Sequence, residues 1–138
     1  GILKQLISRF LTHASDKNLG LDERILQSIH YIHSNIDKHI KIEELAQASC
    51  LTEDHFIRLF KKQMHSTPRK YINQKKIEQA QLMMLVKDVS IKELAYRLGF
   101  ENISYFNRLF KNISGENPGK MQRKILALRE PPVAKKHE

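Results

Sequence analysis

Two stretches of this chain, fifty residues apart, carry side chains suited to hydrogen bonding with the edge of a base. The first holds His55, Ile57, Arg58 and Lys61, together with Asp54, an acid that would repel phosphate unless it pairs with a neighbouring arginine, and the second Ser104, Tyr105, Asn107, Arg108 and Lys111. Interleaved with them are Phe56, Leu59 and Phe60, then Phe106, Leu109 and Phe110. At helical spacing these apolar residues share one side, which a core must cover, so the polar set is left pointing elsewhere. Arginine can grip a guanine edge through two hydrogen bonds and asparagine an adenine edge, while an apolar group can touch the thymine methyl. Lysines and the exposed amides at helix starts suit phosphates, which makes Thr52, Lys62, Asn102 and Lys120 the phosphate candidates.

Each set lies in one copy of a repeated pattern. Ile42-Glu43-Glu44-Leu45-Ala46 is matched by Ile91-Lys92-Glu93-Leu94-Ala95, and Phe56-x-Arg58-Leu59-Phe60-Lys61 by Phe106-x-Arg108-Leu109-Phe110-Lys111. The offset is 49 residues in the first pair of blocks and 50 in the second, because the second copy has one extra residue ahead of Phe106. Pro68 and Pro118 close the two copies. A helix-turn-helix pattern written twice, on a chain of net charge +9, points to double-stranded DNA.

The elements follow from local chemistry. Apolar residues recur at three and four throughout and no β-branched alternation occurs, so the chain reads as all-α. Asp22 can cap a first helix, with Leu21 and Leu26 placed as a hydrophobic staple and Ile25, Ile29, Ile32 and Ile36 as its buried face. The first lobe, residues 22–66, then has a helix near 42–49, a turn at Cys50 and Leu51, and a reading helix over about 52–64 capped by Thr52. Thr67-Pro68 opens a linking helix over 67–87, of which roughly 19 residues at about 1.5 Å each make a rod of about 28 Å. The second lobe, 88–128, repeats the plan with a capping box at Ser90-x-x-Glu93, Gly99 in the turn, a reading helix over about 102–113 capped by Asn102, and a short last helix opened by Asn117-Pro118. A rod of that length would let both reading helices enter successive major grooves, about 34 Å apart.

Composition narrows the class. The chain has 24 Lys and Arg against 15 Asp and Glu, which favours a polyanionic partner. No apolar run reaches the roughly 18 to 20 residues that span a bilayer, and no signal-peptide pattern opens the chain, so it reads as cytoplasmic without a membrane partner. A single cysteine, Cys50, forms no internal disulfide and supplies no zinc finger. It also leaves too few cysteines for a DNA-repair methyltransferase; with no glycine-rich phosphate loop and no Ser-His-Asp arrangement, an enzyme is not expected. His30 and His33 sit three apart on a helix but lack a nearby third ligand, so neither a metal nor any other cofactor is expected. Cys50 could be a redox switch or a small residue tolerated in a turn, and the second reading is adopted.

The stretch Tyr71-Ile72-x4-Ile77-x2-Ala80, then Ser90-Ile91-x-Glu93-Leu94-Ala95-x2-Leu98-Gly99-Phe100-x3-Ser104-Tyr105-Phe106-x-Arg108-Leu109-Phe110-Lys111 and Asn117-Pro118, closely resembles the AraC/XylS family of bacterial transcription regulators. The resemblance covers about residues 25–125. It implies a homeodomain-like domain of about seven helices, with two helix-turn-helix lobes on a linking helix. By position it places base-reading roles on His55, Ile57, Arg58 and Lys61, and on Ser104, Tyr105, Asn107, Arg108 and Lys111. The chain departs from the family pattern at Lys76, usually arginine; Lys41, usually a small cap; His65, usually glycine; and Met121, usually aromatic. The resemblance also implies an activator that touches RNA polymerase and takes its effector through a domain outside this chain. A nonspecific architectural or RNA-binding protein is the alternative that the same charge allows.

The ends complete the expectations. Ile2, Leu3, Leu6, Ile7, Phe10 and Leu11 form an apolar stripe within residues 1–21 that would either pair two chains or belong to the end of a missing effector or dimerisation domain; the second is favoured because the stripe is short for stable pairing. Residues 129–138 are expected to be a disordered tail.

Overall fold

The computed structural model describes Ile2 and residues 20–129. The expected stripe beyond Ile2, the loop before Gly20 and the tail after Arg129 lie outside them. Seven helices account for the described residues: α1 (Glu23–Ser34), α2 (Ile42–Ala48), α3 (Glu53–Met64), α4 (Pro68–Val86), α5 (Ile91–Arg97), α6 (Ile103–Ser114) and α7 (Pro118–Arg129). Two compact units divide them, one holding α1, α2, α3 and the first turn of α4, the other Asn35–Ile40 and everything from Tyr71 onward.

Helix starts lie where the side-chain caps put them. Asp22 Oδ1 accepts the Arg24 amide at 2.9 Å, Thr52 Oγ1 that of His55 at 3.2 Å, Ser90 Oγ that of Glu93 at 3.1 Å and Asn102 Oδ1 that of Tyr105 at 2.9 Å. Asn117 Oδ1 does the same for Lys120 at 2.8 Å. Each bond satisfies an amide that the helix leaves without a partner, an effect of about 1 kcal/mol. Lys41, the residue before α2, makes no such side-chain bond. The capping box at Ser90 forms in one direction only, because the Glu93 carboxylate pairs with Arg97 one turn along instead of reaching back. Helix α7 is a full twelve residues and includes Arg129, which the sequence reading gave to the tail. Its guanidinium meets Asp88 at 2.8 Å, and Gln122 Nε2 donates to the Val89 carbonyl at 2.5 Å, so α7 closes against the segment before α5.

In the first unit Ile25, Ile32, Leu45, Ala46, Phe56 and Phe60 are buried. Ile29 and Ile36, expected on the buried face of α1, are only half-buried; α1 ends at Ser34, and Ser28 takes the inner position by donating to the Arg24 carbonyl at 3.0 Å. Asp22 ties the start of α1 to the end of α3 by donating its amide to Gln63 Oε1 at 2.7 Å. The second unit has a continuous core of Ile77, Ala80, Met84, Val89, Leu94, Ala95, Leu98, Phe100, Phe106 and Phe110, onto which Met121 and Ile125 of α7 pack. Phe100 meets the Phe106 ring edge-on at a centroid distance of 5.1 Å, a favoured arrangement for two aromatic quadrupoles.

The segment Asn35–Ile40 was expected with the first lobe and groups instead with the second unit. Lys76 explains this. Its side chain is 4 % exposed, and its Nζ donates to the carbonyls of Ile36 at 2.6 Å, Lys38 at 2.6 Å and Leu98 at 2.5 Å, with the Phe100 ring 5.7 Å away. An ammonium has three protons to give, and three main-chain oxygens receive them here. Gly99 completes the contact: a Cβ there would stand 2.7 Å from the Lys38 carbonyl carbon and 2.9 Å from the His39 nitrogen. Only a residue without a side chain lets the α5–α6 turn come this close.

Candidate nucleic-acid interface

The two reading helices are built on one register. In α3 Phe56 and Phe60 are fully buried and Leu59 is half-buried; in α6 the same holds for Phe106, Phe110 and Leu109. Their rings meet at a tilt, with centroids 5.8 Å apart within each helix. With the inner face fixed, the helical step of about 100° per residue fixes the rest. Asp54, Arg58 and Lys61 fall on the side opposite the rings, as do Ser104, Arg108 and Lys111, and all six are exposed.

The flanks differ from the outward arc. Ile57 and Asn107 occupy matched positions and are half-buried, so each offers an edge rather than a whole side chain. The Asn107 Oδ1 atom is enclosed and accepts no hydrogen bond. His55 is exposed and close enough to Asp22 for its charge to act on it. The Asp22 carboxyl is lowered to about 2, first by the hydrogen bond from the Arg24 side chain, next by the Arg24 amide, with smaller contributions from the charges of Arg24 and His55. Arg24 therefore spends its guanidinium on Asp22, at 2.8 and 3.0 Å. Tyr105 remains 42 % exposed, but its ring leans on Phe100 at 6.1 Å and its hydroxyl accepts from Asn73 Nδ2 at 3.3 Å. It is a braced side chain at the rim of the outward face.

The phosphate candidates divide in two. Thr52 and Asn102 already use their side-chain oxygens as caps, while Lys62 and Lys120 are exposed. An open cavity of about 650 Å³ lies along α6, lined by Tyr105, Arg108, Leu109, Lys111, Asn112 and Gly115. It places the Arg108 and Lys111 cations on the wall of one concave surface. Among the described residues no three His, Cys, Asp or Glu side chains come together in a way that could hold a metal ion.

Residues 45–124 match the family described as a helix-turn-helix domain. Among curated proteins the chain is similar to the HTH-type transcriptional activator RhaS of Mannheimia succiniciproducens, 32 % identical over 110 residues that cover 78 % of this chain and 41 % of that protein. It is also similar to the arabinose operon regulatory protein of Salmonella typhimurium, at 26 % over 123 residues, covering 88 % of this chain and 44 % of that one. The chain belongs to the AraC/XylS family. Two solved structures share the AraC/XylS fold. The C-terminal domain of AraT, a response regulator from Geobacillus stearothermophilus, superposes with a TM-score of 0.73 at 20 % identity, covering 86 % of this chain and 96 % of that one. The DNA-binding domain of AdpA, solved in complex with a target DNA, superposes at 0.72 with 22 % identity, covering 76 % and 95 %. This AraC/XylS chain spans about half or less of the length of the curated relatives it matches.

Some functional context was missed by reading the sequence. The carbonyl partners of Lys76 lie 22 to 40 residues away, beyond any local pattern. Asn73, which braces Tyr105, is 32 residues from it. The signal available was their position on the inner side of α4, with Lys76 one helical turn from both Ile72 and Ala80 and Asn73 one turn from Ile77. A polar residue there must find a buried partner.

Proposed function

We propose that this AraC/XylS domain binds double-stranded DNA sequence-specifically as the DNA-reading part of a bacterial transcription regulator, with α3 and α6 each entering a major groove. One observation carries the proposal: two reading helices hold Arg58 with Lys61, and Arg108 with Lys111, opposite identically placed aromatic cores. Arginine supplies the two-pronged contact to guanine and lysine the pull on phosphate. His55, Ile57, Ser104, Tyr105 and Asn107 join them as base readers from the flanks and helix starts. Lys62 and Lys120 serve the backbone, together with the helix starts that Thr52 and Asn102 cap.

The relative named as a transcriptional activator supports activation as the outcome; RNA polymerase would then be the protein partner, and a separate domain would take up the effector. The work is done in the bacterial cytoplasm, where the DNA lies. The role is one of binding and needs no catalytic group. No helix among the described residues is long and apolar enough to cross a membrane.

Selection of bound duplexes from a randomised pool of about 30 base pairs, at physiological salt with competitor DNA, tests the proposal. Two enriched blocks about one helical turn apart are expected. Binding without enrichment would return the chain to the nonspecific class.

A further inference from the structure

The outward arcs of the two reading helices differ at one of three places. Asp54, Arg58 and Lys61 lie within about 60° of one another around α3 at about 100° per residue, opposite buried Phe56 and Phe60. On α6 the same arc holds Ser104, Arg108 and Lys111. We propose that Asp54 is a specificity-determining residue, which makes the first lobe require a cytosine next to the base pair gripped by Arg58. This rests on the DNA-reading function proposed above.

The chemistry of the major-groove edge selects the base. A carboxylate has only acceptors to offer. Cytosine presents its N4 amino donor there, whereas guanine presents two acceptors, thymine an acceptor and a methyl, and adenine a donor beside the N7 acceptor. A carboxylate pressed against acceptors gives up its water for nothing, so Asp54 selects for cytosine and against guanine and thymine together.

The structure leaves Asp54 available for this. It is the second residue of α3, in the part of a reading helix that approaches base edges, and it is exposed. The cap of α3 is Thr52, so the Asp54 carboxylate is not occupied in capping. Among the described residues no ion pair joins Asp54 to Arg58, although Glu93 and Arg97, at the same separation of four, do pair. Acceptor and donor thus stand side by side on one face, one turn apart, each open to a base.

The test compares wild type, Asp54→Ala and Asp54→Asn in the same randomised-pool selection, followed by binding titrations on the enriched site. Wild type is expected to enrich a cytosine in one of its two blocks and to lose about tenfold in affinity when that base is replaced, the usual scale for one good base contact. Asp54→Ala should cut the penalty to within about twofold, Asp54→Asn should move the preference toward adenine, and the other block should stay unchanged. A uniform rise in affinity of Asp54→Ala for all sequences, with the base preference intact, would overturn the proposal and leave Asp54 as a helix-end charge. Enrichment of a single block that neither variant alters would overturn it too, while sparing the DNA-reading function. No enrichment by wild type would remove both.

Discussion

At the turn of the first lobe the left-handed residue is Cys50, with φ of 57°, and at the end of its reading helix it is His65, with φ of 59°. The second lobe has Gly99, at 81°, and Gly115, at 93°, in the same two places. A residue with a Cβ held there costs about 1 to 2 kcal/mol, which glycine avoids. The surroundings explain why the lobes differ. Gly99 is pressed against the backbone of Lys38 and His39, so a side chain has nowhere to go. Cys50 is exposed, and a Cβ at Gly115 would meet nothing within 4 Å. Of the four left-handed positions, Gly99 is glycine by necessity of space and Gly115 by backbone preference alone, while Cys50 and His65 carry the strain.

The largest effect expected from this contrast is on Lys76, which belongs to the second unit. Lys76→Met keeps the stem but strips three main-chain carbonyls of their donor. Unpaired buried polar groups cost about 1 to 3 kcal/mol each and some will recover water, so a loss of about 3 kcal/mol in chemical denaturation is expected. A variant as stable as wild type would mean that the three carbonyls find other partners. Next comes Gly99→Ala, expected to cost about 2 to 3 kcal/mol through backbone contact and a disfavoured φ together. Cys50→Ala, its counterpart in the first lobe, should stay within about 0.5 kcal/mol of wild type, because both residues carry the same Cβ. Equal losses at the two turns would mean that the close backbone approach at Gly99 does not set it apart from Cys50.

On DNA the contrast is between arginines. Arg108→Ala should cost about 1 to 3 kcal/mol on the selected site and relax its preference. Arg58→Ala should do the same in the other block. A loss shared equally by specific and random duplexes in fluorescence titrations would reduce either residue to a phosphate contact. The smallest effect is a gain: Cys50→Gly and His65→Gly should each stabilise by about 0.5 kcal/mol, since relief at positive φ slightly exceeds the extra freedom that glycine gives the unfolded chain. Thermal melts that drop instead would show that these side chains make contacts worth more than the strain.

How far the fold could be read ahead follows the same division. Thr52, Ser90, Asn102 and Asn117 mark helix starts because a cap acts over two or three residues, within reach of a sequence pattern. The faces of α3 and α6 were legible because the paired phenylalanines fix the inner side and the helical step does the rest. Half-burial of Ile57 and Asn107 is visible in that step too, since each lies about 100° from the preceding phenylalanine. Hidden from the sequence were the links made across distance. Lys76 looked like a weakened version of an arginine, and its capture of the 36–38 carbonyls reassigns a segment from one unit to the other. Glu93 looked like half of a cap and chose Arg97, one turn away, because an ion pair along a helix competes directly with the reach back to the start.

Capture of residues 36–38 by Lys76 also bears on how the molecule is made. The second unit is discontinuous in the chain: Lys41–Lys70 is threaded between its two pieces. During synthesis residues 35–40 leave the ribosome first and must wait through the whole of α2 and α3 before the lysine that holds them emerges. The first reading head can be finished in that interval, and the second is completed only when a strip of chain made long before folds back onto it. Cutting the second head out as one contiguous piece from Tyr71 onward leaves that strip behind. The piece removed would carry a buried ammonium with two of its three carbonyls missing.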